Sequence, residues 1–138
     1  IATEIGLSRE QVSRGISIAD VDRDGRLDYA IANQWDDSFF YRNRSAKVGA
    51  FLGLQVRHQN GRPAIGAMVR VRTPQGKAMS AQVDGGSGHS GKRSNEVHFG
   101  LGGGTDSLAV EVHWRDAQGV HVKSWTLSPG WHVLTIGG

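Results

Sequence analysis

Between residues 50 and 136, apolar side chains return at every second position in one short run after another, and this period restricts the fold most. The clearest run sets Leu108, Val110, Val112 and Trp114 against Ala109, Glu111, His113 and Arg115. Successive side chains of an extended strand point to opposite faces, so such a run buries one face and wets the other. Leu52, Leu54 and Val56 alternate in the same way with Gly53, Gln55 and Arg57, as do Ala67, Val69 and Val71 with Met68, Arg70 and Arg72. Turn-forming stretches close these runs: Asn60-Gly61-Arg62-Pro63, Pro74-Gln75-Gly76, Asp116-Ala117-Gln118-Gly119 and Ser128-Pro129-Gly130. Further strands are expected at 79–83, 95–99, 120–125 and 131–136, whereas residues 7–12 read only as a helical or irregular lead-in. Many short strands without a convincing helix predict an all-β fold, an antiparallel β-sandwich or barrel over 50–136. Its expected core is Leu54, Val56, Val69, Val71, Val83, Val97, Phe99, Leu108, Val110, Val112 and Trp114. His113 and His121 fall on outward positions of this pattern.

Upstream stands a stretch of different chemistry. Asp20-Val21-Asp22-Arg23-Asp24-Gly25-Arg26-Leu27-Asp28 reads D-x-D-x-D-G-x-x-D. Carboxylates at alternate positions, with a glycine that permits a sharp reversal, can aim several hard oxygens at one centre. Side by side without a cation they would repel one another. The spacing therefore indicates a Ca²⁺ loop, with an acidic solvated turn as the plain alternative. An EF-hand would carry a bidentate Glu at the twelfth position, which here is Ile31. The flanks 15–19 and 29–33 are short and rich in β-formers, so the loop joins two strands. The expected ligands are the side chains of Asp20, Asp22, Asp24 and Asp28 and the backbone carbonyl of Arg26. Three or four carboxylates already balance the ion's charge and leave no open position beside a general base, so the ion is expected to be structural rather than catalytic. A third strand, dense in aromatics, follows at 38–43 after the turn Trp35-Asp36-Asp37. Three such strands bury too little surface to stand alone, so this β-hairpin unit must lean on the rest. The expected division is 1–45 for the unit with the acidic loop and 46–138 for the β domain.

Several function classes are disfavoured. The net charge is +3, with eight acidic and six basic side chains up to residue 45 and five acidic and ten basic beyond it. This surplus is dispersed along strands, unlike the clustered basic face of a nucleic-acid binder. With no cysteine there is no disulfide, thiolate metal site or cysteine catalysis. No apolar run approaches the ~20 residues of a membrane-spanning helix. Gly86 to Lys92 spells G-x-x-x-x-G-K, but Arg93 stands where a phosphate-binding loop needs Ser or Thr, and no helix is expected to follow, so no nucleotide is expected. Ser87, Ser90 and Ser94 near His89 lack the third orienting group of a triad, and no other catalytic set is visible. Cytosolic free calcium is too low to fill weak, extracellular-type calcium loops, so a loop of that class places the protein outside the cytoplasm.

Residues 15–43, from Gly15-Ile16-Ser17-Ile18-Ala19 through the acidic loop to Phe40-Tyr41-Arg42-Asn43, resemble a final FG-GAP/VCBS-type repeat of a β-propeller. The remainder is similar to the ASPIC/UnbV domain in Phe51-Leu52-Gly53-Leu54, Ala64-Ile65-Gly66-Ala67-Met68-Val69-Arg70-Val71, Gly85-Gly86-Ser87-Gly88-His89-Ser90, Val97-His98-Phe99-Gly100-Leu101-Gly102 and Val110-Glu111-Val112-His113-Trp114. Repeat followed by ASPIC/UnbV is the order of the cartilage acidic protein family and its bacterial relatives. The resemblance implies the C-terminal piece of a longer, secreted or periplasmic, calcium-binding protein without catalytic residues, engaged in adhesion or scaffolding with a protein or glycan at a cell surface. Two further functions remain in view: a carbohydrate-binding β-sandwich using Trp35, Trp114, Trp125 or Trp131, and an accessory domain of a biosynthetic or secreted enzyme system.

Overall fold

The computed structural model describes residues 3–4, 8, 10–46, 49–86, 94–103 and 106–137. Residues 87–93, the centre of the glycine-rich connection with His89 and Lys92, lie outside them, as do residues 7 and 9 of the lead-in. Ten strands and no helix occur among the described residues. β1 (Ser13–Ala19), β2 (Asp28–Asn33) and β3 (Phe39–Tyr41) form an antiparallel three-stranded sheet in sequence order. β4 (Ala50–His58), β7 (Val97–Gly102) and β10 (Gly130–Ile136) form a second sheet in the order β10-β4-β7. The third sheet holds β5 (Met68–Arg72), β6 (Ala78–Gln82), β8 (Leu108–Asp116) and β9 (Gly119–Leu127) in the order β6-β5-β8-β9.

The alternation of each strand fixes which side meets the core. Leu52, Leu54 and Val56 of β4, Val97, Phe99 and Leu101 of β7, and Leu134 and Ile136 of β10 face Val69 and Val71 of β5 and Leu108, Val110 and Val112 of β8 in one buried cluster, to which Val83 also belongs. Full burial of each such side chain is worth ~1.5–3 kcal/mol. The result is sandwich-like, and the barrel alternative is not realised, because the second and third sheets remain separate. The expectation of antiparallel pairing throughout is corrected at one ladder. β10 runs parallel to β4, from Gly130 opposite Leu52 to Ile136 opposite His58. A period of two reports which face of a strand is buried and carries no information about its direction.

The rim brings two further corrections. Trp114, expected inside, is half-buried at the end of the inward row of β8 and packs on the core from its edge. The β8–β9 hairpin places His121 directly opposite Trp114. Cross-strand partners share a face, so His121 lies on the same side as Trp114 and stacks on it, ring centroids 5.3 Å apart, instead of facing outward. Its Nε2 also lies 2.7 Å from Asp116 Oδ1. His113 keeps the expected outer side beside Glu111, at 3.4 Å. On the edge strand β9 the inward Lys123 donates to the Thr135 carbonyl of β10 at 3.1 Å and covers the Trp125 ring. An inward-pointing charge of this kind discourages further strands from adding to an edge.

Candidate metal centre

The acidic loop connects β1 to β2, and the pairing of Ala19 with Asp28 closes its two ends on each other. Asp20, Asp22 and Asp28 each offer a carboxylate oxygen within 4.8 Å of the other two. Asp20 and Asp28 are buried, at 5% and 2% exposure, and Asp22 is exposed. The reversal between them is made by Arg23 and Gly25, with φ of 60° and 87°. The first is an uncommon conformation for a residue with a side chain, and the second favours glycine.

Backbone donors hold the two buried carboxylates. Asp20 accepts from the N–H of Asp24 at 3.0 Å and of Gly25 at 2.8 Å. Asp28 accepts from Val21 N–H at 3.2 Å and from Asn43 N–H at 2.8 Å, tying the loop to the segment after β3. A carboxylate has about four lone-pair sites, so Asp28 retains two and can still bind a cation. Asp22 is paired with Arg42. Asp24 is not among the three converging carboxylates and takes both the backbone N–H and the guanidinium of Arg26. Burial acts to raise the Asp24 pKa, but those hydrogen bonds and the Arg26 charge outweigh it and hold the carboxyl below its usual range. Arg26 Nε is buried without a hydrogen-bond partner.

This donor set suits a hard divalent cation. Dipolar N–H groups lower the cost of two buried carboxylates but supply no full charge, and among the described residues the one guanidinium on the trio binds Asp22 at its exposed side. All the side-chain donors are oxygens, as Ca²⁺ prefers, with neither the imidazole nor the thiolate that would favour zinc. Asp20 already accepts three N–H groups, the third from far along the chain, which leaves it room for one metal bond.

That third donor is Trp131 Nε1, 3.0 Å from Asp20 Oδ2. It belongs to an aromatic platform on the outer face of the β10-β4-β7 sheet. Register places Gly53 of β4 between Trp131 of β10 and His98 of β7. The Phe51 ring stacks on His98 with centroids 5.2 Å apart and meets Trp131 edge-on at 6.0 Å. The loop lies on this platform. A Cβ on Gly25 would stand 2.4 Å from Phe51 Cδ1, and the Gly25 carbonyl accepts from His98 Nε2 at 3.1 Å. Burial lowers the His98 pKa below its ordinary value and prevails over the Gly25 hydrogen bond and the Asp20 charge, which both raise it.

Phe51, His98 and Trp131, like Arg42 and Asn43, are absent from the ligand set expected from the sequence. A signal existed: Phe51, His98 and Trp131 are large rings on the parity that alternation assigns to solvent, and such rings need a cover. Of the expected ligands, the structure gathers Asp20, Asp22 and Asp28 and turns Asp24 to Arg26.

Comparison with known proteins adds a family. A family model described as ASPIC and UnbV matches residues 57–137, from the end of β4 past the end of β10, and the acidic loop lies outside the match. No curated protein matches the chain significantly. Since the match spans more than half of the 138 residues, the chain belongs to the ASPIC and UnbV family.

Proposed function

We propose that this chain is a non-enzymatic interaction module of the extracellular or periplasmic space, in which a Ca²⁺ held by Asp20, Asp22 and Asp28 fastens an FG-GAP/VCBS-type repeat to the ASPIC/UnbV domain. The observation that carries the reading is the double role of Asp20. Its carboxylate is one of three converging on the loop centre and also accepts the Trp131 N–H from the sandwich. An ion there would neutralise the trio and fix the loop on its platform. The role assigned to the ion is structural. The partner is a protein or glycan at a cell surface.

Thermal unfolding in EDTA, Ca²⁺ and Mg²⁺ tests this, for the native chain and for Asp22→Ala. At about 100 times its dissociation constant, an ion that binds only the folded state stabilises by ~2.7 kcal/mol. Mg²⁺ should act weakly, since its small octahedral shell suits a multi-carboxylate loop poorly. Calcium that leaves the native melting curve unmoved, or shifts Asp22→Ala equally, overturns the reading.

One observation favours carbohydrate as the partner. Trp114, Trp125 and Trp131 are all engaged at the sandwich, but Trp35 is 87% exposed on a turn with φ of 63°. That turn is held by Asn33 Nδ2, which donates to the Asp37 carbonyl, and by Gln11 Nε2, which donates to Asp36. A glycan array compared with Trp35→Ala separates this reading from protein binding.

A further inference from the structure

The outer face of the β6-β5-β8-β9 sheet carries a feature that the calcium reading does not use. The outward row of β5 is Met68, Arg70, Arg72, and register sets Ser80 and Glu111 beside Arg70 and Ala78 and Ala109 beside Arg72. Two long cationic side chains thus rise from a central strand whose neighbours, Glu111 apart, are small. They border a depression of about 290 Å³ that Ala78, Ser80, Ala109 and Glu111 also line.

Among the described residues the two cations of this depression are uncommitted. Neither Arg70 nor Arg72 has an ion pair or side-chain hydrogen bond among the described residues, although Glu111 is the cross-strand neighbour of Arg70. Glu111 instead faces His113. Two positions along one strand are ~7 Å apart, so two guanidinium forks can converge on one carboxylate or grip two successive ones. Ser80 adds a hydroxyl that donates and accepts, and Glu111 adds acceptors. The volume is near the lower end of the ~300–1,000 Å³ range of small-molecule sites, which suits one sugar-sized unit.

We propose that Arg70, Arg72, Ser80 and Glu111 form a binding site for an acidic sugar unit, a uronate, within an extracellular polysaccharide. The guanidinium groups take the carboxylate, and Glu111 and Ser80 take ring hydroxyls. Each part of the set has a task in that assignment. An anion without hydroxyls would gain nothing from Glu111 and would be repelled by it, and a neutral sugar would leave two arginines without a counter-charge. The open sheet face lets a chain enter and leave on either side of the bound unit.

The test is calorimetric titration with a galacturonate trimer, and with the neutral galactose trimer as comparison, in Ca²⁺ and again in EDTA. Expected is saturable binding of the acidic trimer in Ca²⁺, about tenfold or more weaker for Arg70→Gln and for Arg72→Gln, as befits loss of a charge-assisted hydrogen bond. Arg72→Lys should lose nearly as much, because an ammonium cannot supply the fork. Arg115→Gln, on the same strand face but beyond the depression, should bind like the native chain, and unchanged melting curves would show that every variant is folded. No saturable binding, equal binding by Arg72→Gln, or equal affinity for the neutral trimer each overturns the assignment. Failure of the calcium reading would look different, as a melting curve indifferent to Ca²⁺ with trimer binding intact in EDTA.

Discussion

Replacing Gly53 by alanine tests the loop platform through the sign of its effect. In the middle of a strand, alanine is ordinarily better than glycine by ~0.5–1 kcal/mol, because the unfolded glycine is the more flexible. The structure reverses this expectation. A Cβ at Gly53 would lie 2.4 Å from Trp131 Cε3 and 2.5 Å from Cζ3, whereas carbon atoms in ordinary contact are ~3.5–4.0 Å apart. The indole must therefore retreat by ~1 Å, and the 3.0 Å bond from its Nε1 to Asp20 goes with it. Overpacking costs ~1–3 kcal/mol and loss of a hydrogen bond to a charged group ~1.5–3 kcal/mol. Set against the small gain, the net is a destabilisation of ~2–5 kcal/mol, or ~5–20 °C in melting temperature for a chain of this size. Circular dichroism during thermal unfolding measures it, with Gly100→Ala as control, since nothing lies within 4 Å of a Cβ there on the neighbouring strand. A Gly53→Ala chain that melts at or above the native temperature refutes the platform.

Two pH predictions accompany it. His98 has a folded pKa depressed below 6.5 by burial, so the unfolded state binds more protons between the two values. Its contribution is complete above pH 6.5 and is lost as pH falls through the folded value, and His98→Gln should flatten the melting temperature measured between pH 7.5 and 5.5. The Asp116 carboxyl is held below 3.8 first by its hydrogen bond from His121, against burial and with further help from the backbone N–H groups of Gln118 and Gly119. Its contribution is present above pH 3.8 and lost as pH falls through the lower folded value, and an NMR titration should show the midpoint rising in His121→Ala.

The sandwich was legible because its information is local. Leu108 to Trp114 alternate strictly, and the turns around Pro74 and Gly119 lie where the chain reverses, so the buried face followed from period and punctuation, whereas β7, expected over 95–99, runs Val97–Gly102. Trp114 departs from its phase because phase says nothing of where a sheet ends, and a ring on the last inward position stands at the rim. His121 was misplaced for a related reason: its face follows from the register across the Asp116–Gly119 turn, which depends on turn geometry. Parallel pairing of β10 with β4 joins segments some eighty positions apart, which no pattern within either strand encodes.

The acidic loop divides between the two kinds of information. Its carboxylates lie within nine residues and their spacing announces them, but a spacing cannot say which of four aspartates will converge. Arg26, two positions after Asp24, competes for it locally. Trp131 and His98 reach the loop from 111 and 73 positions away, so what orients Asp20 and Gly25 is written in the sandwich. The family match includes both of those residues and excludes the loop. The loop is thus carried by the first part of the chain and positioned by the second. On the proposed reading, this makes ion affinity and docking one linked equilibrium. A cation that draws Asp20 into place favours the Trp131 contact, and by reciprocity a sheet that already holds Asp20 binds the cation more tightly, by the same factor. A three-stranded meander that cannot bury enough surface to stand alone then gains order from both sides of one carboxylate.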